Sequence, residues 1–551
     1  MKKIKTIKKS TKPKLRSKTN SHTRTHSGSR GHNKSRIRLQ TKKVVKSDNP
    51  LLTSFDLEAF IKENGTFPEN VINEASEIYQ IIPEEIIQRE LNTGKRKDLR
   101  YLNIVTIDSE DTKDVDDGVS IEITKEGNYL LGVHIADVAE YVTEDSAIDA
   151  EARRRGTSVY LTDRVLPMLP SELSNGICSL NIGENRFALS VFMEINHKGK
   201  VLHRKVCQSI IQVKYKRTYK EIYHLFTDAT KEEQQSDPFF GQLELMKQLA
   251  EILHVKRYKM GCLDFDFPET KITVADNGQP ISIGEYITDF SHNIIEEFMI
   301  ACNETVSEFF TRMNVPFMYR EHKNPEKEKL ETLAEELRGI GFTLDIKKDD
   351  IPEYKIQKLL EKAKDSPKKL LVNTLVLRSM PKAEYVTESE GHFAIATDYY
   401  SHFTSPIRRY PDLFIHRIIK KVLCGGMSEK EKKRISAYND AVAKHCSETE
   451  RQAQAIELLD TNIKIAEYMR QFLGESYSAT VTSITSFGIF ARLDNSAEGL
   501  LFYNAMPEYM IYDPKRLVAI GERSKQKISV GDKIEVTVAR VDTHLGKIEF
   551  S

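Results

Sequence analysis

No stretch of this 551-residue chain approaches the roughly 20 apolar residues that a membrane-spanning helix needs. No apolar signal-peptide core lies near its start, and mean hydropathy is −0.46. Neither a membrane partner nor the usual route of secretion is therefore expected. Cysteine is sparse, and Cys178, Cys207, Cys262, Cys302, Cys424 and Cys446 lie far apart with no Cys-x-x-Cys pair. That spacing excludes a zinc ribbon or a thioredoxin-type redox motif and leaves isolated buried thiols in a reducing compartment as the expectation. The cytoplasm fits this best. Acid is missing altogether from residues 1–47, which hold 17 of the 82 Lys and Arg residues. The rest of the chain then carries all 81 acids against 65 bases. A positive arm on an acidic body attracts phosphate backbones or anionic surfaces.

What is present can fill a core. Apolar residues make up 39% of the chain and aromatics 8%, which excludes wholesale disorder. The length suits about three or four domains at roughly 150 residues each. The arm has almost nothing to bury, so it is expected to be disordered and to act as a nonspecific nucleic-acid tether. An organellar transit peptide has a similar composition, but the dominance of Lys and the lack of an amphipathic face argue against it. Helical spacing follows from Leu51 to about Leu91, punctuated by Pro68 and Pro83. Strand patterns then run over residues 102–107, 119–123 and 129–135. Long helices are expected over 291–310, 325–340 and 429–472, which makes a mixed sheet with helices. From Gly474 onward, short β runs between Gly, Asp and Asn have the profile of a small barrel.

The densest chemistry lies between two of these strands. Asp108, Glu110, Asp111, Asp114, Asp116 and Asp117 fall within ten residues. Carboxylates this close repel one another unless a cation sits among them. Hard oxygen ligands in a loop suit Mg²⁺, or Mn²⁺ as a substitute, better than zinc. The EF-hand pattern does not fit, because no alignment of this loop supplies both its Gly and its final Glu. A solvated acidic turn is the plainer alternative. An acidic metal cluster in a chain with nucleic-acid-binding features points to two-metal phosphodiester cleavage, which usually also needs a fixed guanidinium. Arg408 and Arg409, bracketed by Pro406 and Pro411, offer one, and one of the two is expected to pair structurally with Asp412.

These residues resemble the ribonuclease II / ribonuclease R family of RNB-type hydrolytic 3′→5′ exoribonucleases. The likeness rests on residues 106–118, on His134-Ile135-Ala136-Asp137-Val138-Ala139-Glu140-Tyr141, and on Arg155-Gly156-Thr157-Ser158-Val159-Tyr160-Leu161. It continues through Pro167-Met168-Leu169-Pro170, residues 173–180, and His402-Phe403-Thr404-Ser405-Pro406-Ile407-Arg408-Arg409-Tyr410, followed by His416 and Arg417. The motifs occur in family order over residues 95–475, closest to the ribonuclease R branch.

The resemblance implies an α+β RNB-type catalytic domain with C-terminal helices over residues 96–473. A disordered basic arm (1–47) and a helical linker segment (48–95) precede it, and an S1-type RNA-binding OB-fold barrel (474–551) follows. It implies Asp108, Asp114, Asp116 and Asp117 as the metal-binding acids, with Asp116 essential for cleavage and Arg408 beside the scissile phosphate. Tyr160 and Phe265 match the aromatic pair that clamps the terminal base, a sequence-tolerant contact. Phe267 competes with Phe265 for that place. Glu457 matches a helical glutamate that touches RNA, with Glu450 as a competing register. Phe487 and Phe490 mark the barrel's stacking surface, although either could pack inside it, and Phe502 stands where relatives often carry His.

Family members usually begin with cold-shock-type barrels and end in a lysine-rich tail. The fifty residues ahead of the helical segment are too few for such a barrel, and the chain stops in its last expected strand. A shortened natural form or a fragment is expected, with RNA affinity and duplex selectivity altered. The implied function is Mg²⁺-dependent degradation of single-stranded RNA or RNA 3′ overhangs to nucleoside 5′-monophosphates by a monomer. The ribosome or the RNA-decay machinery are its expected associates. An RNA-binding adaptor on an inactive scaffold is the rival reading, and it would need a broken acid set. A structural subunit of a larger decay complex is compatible with activity.

Overall fold

The computed structural model describes residues 55–265, 267, 269–346 and 353–551, all within one compact unit, Leu51–Ser551. The basic arm and the first residues of the helical linker lie outside the described residues. Proline sets the early helices. After α1 (Leu57–Asn64), Pro68 and Pro83 occupy the N-cap positions of α2 (Glu69–Ser76) and α3 (Glu84–Asn92). There a missing N–H costs nothing. Val71, Ala75, Ile82 and Ile87 carry this segment into the main core.

Next come β1 (Lys97–Asp98), β2 (Ile104–Asp108), β3 (Asp117–Ile123) and β4 (Tyr129–Ala136). Helix α4 (Ala147–Arg155) and a short hairpin, β5 (Val159–Tyr160) with β6 (Val165–Leu166), lead to β7 (Asn185–Ile195) and β8 (Val201–Thr218). Strands β2, β3, β4 and β7 pair in that order, all antiparallel. Strand β8 is 18 residues long and serves three partners, the short β1 among them. Its first part runs antiparallel to β7, and its last part runs parallel to β2, so the sheet closes on itself. The mixed sheet expected from the sequence is therefore curled, and side chains such as Leu131, Val133, Ile135 and Val191 are fully buried.

One polar chain crosses this core. His134 bonds through Nε2 to Ser120 Oγ (3.0 Å) and through Nδ1 to Ser190 Oγ (2.7 Å), which in turn meets Ser209 Oγ at 2.7 Å. Gly132 leaves the room, since a Cβ there would lie 2.5 Å from Ser120 Oγ and 2.9 Å from His134 Nε2. Full burial makes this a structural network, out of reach of any substrate. Burial pushes the imidazole down to about 3, so His134 is neutral in the folded protein. In the unfolded chain it takes up a proton below about pH 6.5, and folding must expel that proton. This contribution to stability therefore falls as the pH drops from about 6.5 toward 3, at about 1.4 kcal/mol per pH unit. Replacing His134 by Gln should flatten the pH dependence of the denaturant midpoint between pH 7 and 5. An unchanged slope would show that His134 is not the proton-linked group.

Helices α5 (Tyr219–Thr227), α6 (Lys231–Ser236) and α7 (Phe240–Met260), the hairpin β9 (Glu269–Val274) with β10 (Pro280–Tyr286), and α8 (Phe290–Arg312) follow. Leu243, Met246 and Leu249 of α7, with Phe298, Cys302 and Phe310 of α8, extend the main core. Strand β11 (Tyr319–Glu321) pairs with β12 (Glu384–Val386) around α9 (Lys327–Gly339), α10 (Glu353–Ala363) and α11 (Lys369–Ser379). Then α12 (Tyr410–Leu423) leads to α13 (Glu429–Met469), whose 41 residues start from a capping box on Ser428.

The last segment is a closed barrel, ordered β13 (Ser476–Ile484), β14 (Gly488–Leu493), β15 (Glu498–Phe502), β20 (Lys547–Phe550) and β19 (Lys533–Asp542). A three-stranded sheet, β16 (Met510–Asp513), β17 (Val518–Gly521) and β18 (Lys527–Ser529), is inserted between β15 and β19. The sequence did not separate this insert from the barrel, because its strands and turns are of the same kind. Barrel residues Val481, Ile489, Val536 and Phe550 share one core with Leu337, Leu359, Val372 and Met469 of the helices. Cys178, Cys262, Cys302 and Cys446 are buried free thiols as expected, but Cys424 is exposed and Cys207 is half-buried.

Candidate active site

The acidic loop leaves the sheet at the end of β2 and returns at the start of β3. Because these strands pair at Val105 and Val119, Asp108 and Asp117 end up facing the same end of the sheet. The loop between them is pinned. The Val115 N–H donates to Ser179 Oγ (3.1 Å), Ser179 Oγ donates to the Lys113 carbonyl (2.7 Å), and the Ala136 N–H donates to the Asp116 carbonyl (2.9 Å). Val115 and Asp116 are buried, so the loop is not the solvated turn weighed as an alternative. Glu110 does stay in solvent, paired with Lys220 at 2.9 Å.

Burial, with smaller effects of Asp114 and the opposing charge of Lys216, pushes Asp108 up to about 6. Burial and then the Asp108 charge push Asp117 up to about 7. Asp116 is raised well above the usual carboxylate range by burial, against the pull of Arg408. Its Oδ1 accepts the Ile407 N–H (2.8 Å), while its Oδ2 is buried with no hydrogen-bond partner, 3.6 Å from Arg408 Nε. Asp114 accepts the Tyr160 hydroxyl on its Oδ2 at 3.0 Å.

The four acids thus share one loop but face different neighbours, and among the described residues no three His, Cys, Asp or Glu side chains converge as a ready-made cage. The residues nevertheless fit a hard divalent cation. Asp108 and Asp117 are half-buried carboxylates, the charge of Asp108 raising the cost of ionising Asp117, and Asp116 keeps an unpartnered oxygen. Mg²⁺ usually takes only one or two carboxylates and fills its remaining positions with water and substrate phosphate.

The arginine loop is held from three sides. Arg409 makes a two-pronged pair with Asp412 (2.9 and 2.7 Å), and Asp412 Oδ1 also accepts the Ser405 N–H (2.8 Å). Arg409 is therefore the structural arginine of the two. The Arg408 carbonyl accepts the Ser158 N–H (2.9 Å) and Thr157 Oγ1 (3.1 Å), and the Tyr410 N–H donates to the Gly156 carbonyl (2.9 Å). Gly156 has φ +70°, and a Cβ there would lie 2.0 Å from Thr449 Oγ1 on α13, so only glycine fits. The Arg408 side chain stays 43% exposed, which leaves it free to meet an anion.

Tyr160 is 39% exposed, and its N–H donates to Glu457 Oε1 at 2.9 Å. Of the two competing glutamates, Glu457 is therefore the one beside Tyr160. Glu450 is engaged by Arg320 at 2.6 and 2.9 Å. Phe265 stacks on Phe267 (centroids 6.0 Å apart, 19° between planes) and packs against the core shared by the barrel and α9–α11. Tyr160 instead sits on the hairpin whose Val159 and Leu161 pack in a separate cluster with Ala453 and Ile456. The structure thus brings Tyr160, Asp114, Asp116 and Arg408 together but gives Phe265 no contact with them among the described residues. In the barrel, Ile489, Ala491 and Leu493 point inward while Phe490 points outward. Phe487 meets Phe490 edge-to-face at 6.2 Å, both half-buried.

Known proteins resemble this chain over most of its length. Residues 96–425 match the RNB domain family and residues 470–551 the S1 RNA binding domain family. The chain is 42% identical to ribonuclease R of Thermotoga maritima over 494 residues, covering 89% of this chain and 68% of that protein. This chain belongs to the ribonuclease R family of 3′→5′ exoribonucleases. Ribonuclease R 1 of Lactococcus lactis is 37% identical over 516 residues, 93% of this chain and 62% of that protein. The chain thus spans roughly two thirds of the length of these relatives. Mycoplasma genitalium RNase R superposes with a TM-score of 0.82 both in its apo form and with ribose-methylated single-stranded RNA, at 29% and 28% identity. Both matches cover 90% of this chain and 77% of that one.

Within this ribonuclease R family site, sequence reasoning missed Thr157, which holds the Arg408 backbone, and Asp460, which accepts bonds from Thr162 N–H (2.7 Å) and Oγ1 (2.6 Å). Asp460 had one legible signal. It stands three residues beyond Glu457, on the same face of α13.

Proposed function

We propose that this chain hydrolyses RNA one nucleotide at a time from the 3′ end, with Mg²⁺ as cofactor and nucleoside 5′-monophosphates as products. The observation that carries this reading is the buried, unpartnered Oδ2 of Asp116 facing Arg408 Nε, beside the Asp108–Asp117 pair. A site built only to bind RNA has no use for three carboxylates kept at this electrostatic cost, since they repel phosphate.

Asp108 and Asp117 would hold the Mg²⁺, or Mn²⁺ in its place, with Asp114 alongside. When bound, the ion would lower the pKa of a water and neutralise phosphate charge. Arg408 meets the scissile phosphate and offsets the charge that develops on its oxygens. Asp116 Oδ2 aligns the attacking water. The water oxygen bonds to phosphorus, the bond to the 3′ oxygen of the preceding nucleotide breaks, and that oxygen leaves with a proton as the new 3′ hydroxyl. Tyr160 and Phe265 stack on the terminal bases, Glu457 lies beside them, and Phe487 and Phe490 offer the barrel's stacking surface to the incoming strand. Single-stranded RNA and 3′ overhangs are the substrates of this reading. A monomer in the cytoplasm, recruited by ribosomes or the decay machinery, is its setting.

A 5′-labelled single-stranded RNA resolved on a denaturing gel tests the reaction, with Mg²⁺ or EDTA and a matching DNA as control. Mg²⁺-dependent collapse to a very short product, with DNA left intact, is the expected result. RNA bound but uncut in both Mg²⁺ and Mn²⁺ would favour the adaptor reading instead. Replacing Tyr160 by Ala should leave longer end products, since a short oligonucleotide loses a stacking contact worth about 1–3 kcal/mol. End products of unchanged length would remove Tyr160 from the clamp.

A further inference from the structure

The hairpin that carries Tyr160 cannot hold itself in place. Strands β5 and β6 have two residues each, joined across the turn by the Leu161 N–H to Arg164 carbonyl bond (2.9 Å). A two-stranded hairpin is marginal in water even when it is longer. Apart from the α1 side chains Phe60 and Ile61, which pack against the same cluster, its order comes from one stripe of α13. Ala453, Ile456, Glu457 and Asp460 follow one another at the spacing that puts side chains on a single helix face. Ala453 and Ile456 pack with Val159, Leu161 and Leu166. Glu457 takes the Tyr160 N–H, and Asp460 takes both the N–H and the hydroxyl of Thr162 at the turn. Asp460 is only 4% exposed. Burying a carboxylate is costly, and one that accepts two short bonds from a single turn residue fixes that turn in one position.

The fixed hairpin presents the Tyr160 hydroxyl to Asp114, and the residues leading into it hold the Arg408 carbonyl through the Thr157 hydroxyl and the Ser158 N–H. One α13 carboxylate therefore sits upstream of the base clamp, the acidic loop and the phosphate-binding arginine. We propose that Asp460 is a positioning residue of the exonuclease, acting through Thr162 to set the stacking position of Tyr160. The inference rests on the clamp reading of Tyr160 given above. It assigns Asp460 no contact with RNA.

The test uses the full chain in an Asp116→Asn background, so that RNA is not consumed. One probe is a long single-stranded RNA, and the other is a pentanucleotide with 2-aminopurine at its 3′ end. Asp460→Ala is expected to weaken pentanucleotide binding about tenfold and to relieve the quenching of 2-aminopurine, as loss of one stacked base would. Its affinity for the long RNA should change less than about twofold, because many other contacts hold that strand. Thr162→Val, which removes only the hydroxyl bond, should give a smaller shift in the same direction and guards against misfolding of the alanine variant. Tyr160→Ala combined with Asp460→Ala should be no worse than Tyr160→Ala alone, since both act through one ring.

The inference is overturned if Asp460→Ala and Thr162→Val leave the quenching unchanged while Tyr160→Ala relieves it. It is also overturned if the double variant shows additive loss. Quenching that survives Tyr160→Ala itself would instead bring down the clamp reading on which the inference stands.

Discussion

Replacing Asp116 by Asn is expected to lower the rate of RNA cleavage about a thousandfold or more while leaving RNA binding intact. That loss corresponds to about 4 kcal/mol in the barrier. The geometry separates the two effects. Asp116 Oδ1 anchors the arginine loop by accepting the Ile407 N–H at 2.8 Å, and an amide oxygen can keep that bond. The loop and the Arg408 backbone therefore stay where they are. What the substitution removes is the charge on Oδ2, the buried atom that has no hydrogen-bond partner and faces Arg408 Nε at 3.6 Å. Losing a negative charge from a site that receives a polyanion should make binding equal or slightly tighter. Filter binding of labelled RNA, alongside single-turnover cleavage in Mg²⁺, measures both. A parallel loss of binding and cleavage would mean that Asp116 is structural.

The second large effect is on stability. Removing the Asp137 carboxylate, as Asp137→Ala, should cost about 3–5 kcal/mol, because it strands buried cations. Arg96 is 0% exposed and donates to Asp137 Oδ2 at 2.6 Å while its guanidinium lies 4.0 Å from the Phe187 ring centroid. Lys420 of α12 reaches both Asp137 oxygens (2.8 and 2.9 Å) and Glu140 (2.6 Å). The network ties α12, whose first residue follows the arginine loop, to the sheet.

Burial alone would raise the pKa of Asp137, but the charges of Lys420 and Arg96 hold it well below the ordinary carboxylate value. A carboxylate whose pKa is depressed on folding binds its proton less readily in the native state than in the unfolded one. Its stabilisation is therefore complete at neutral pH and is lost as the pH falls from about 4 toward the lower folded value. Denaturant midpoints of the parent and Asp137→Ala proteins should differ by a constant amount from pH 7 to about 5 and converge below about 4. A gap that stays constant into strong acid would mean that the penalty is steric and not ionic.

Much of the fold was legible along the chain because its signals are local. The prolines that start α2 and α3, the strands on either side of the acidic loop, the long α8 and α13, and the barrel all fall where spacing and turn residues put them. The closure of the sheet was not legible, because it depends on one strand, β8, changing partners from β7 to β2 partway along its length. Periodicity says which residues face inward but not which edge they meet. The insert β16–β18 was hidden for a similar reason, since nothing local distinguishes a strand of the barrel from a strand beside it.

The site divides in the same way. Sequence alone named its candidate groups, the acids of one loop, two arginines between prolines and an aromatic at Tyr160, and the family to which the chain belongs. Only the tertiary structure decided what each group does with its neighbours. It gave Arg409 to Asp412 and left Arg408 open, bonded Asp114 to the Tyr160 hydroxyl, and put Glu457 instead of Glu450 at the hairpin. It also brought in Asp460 from 298 positions away in the chain. The physical reason is that pKa, orientation and pairing are set by burial and by charges within a few ångströms. Those neighbours come from strands and helices that the chain brings together only on folding.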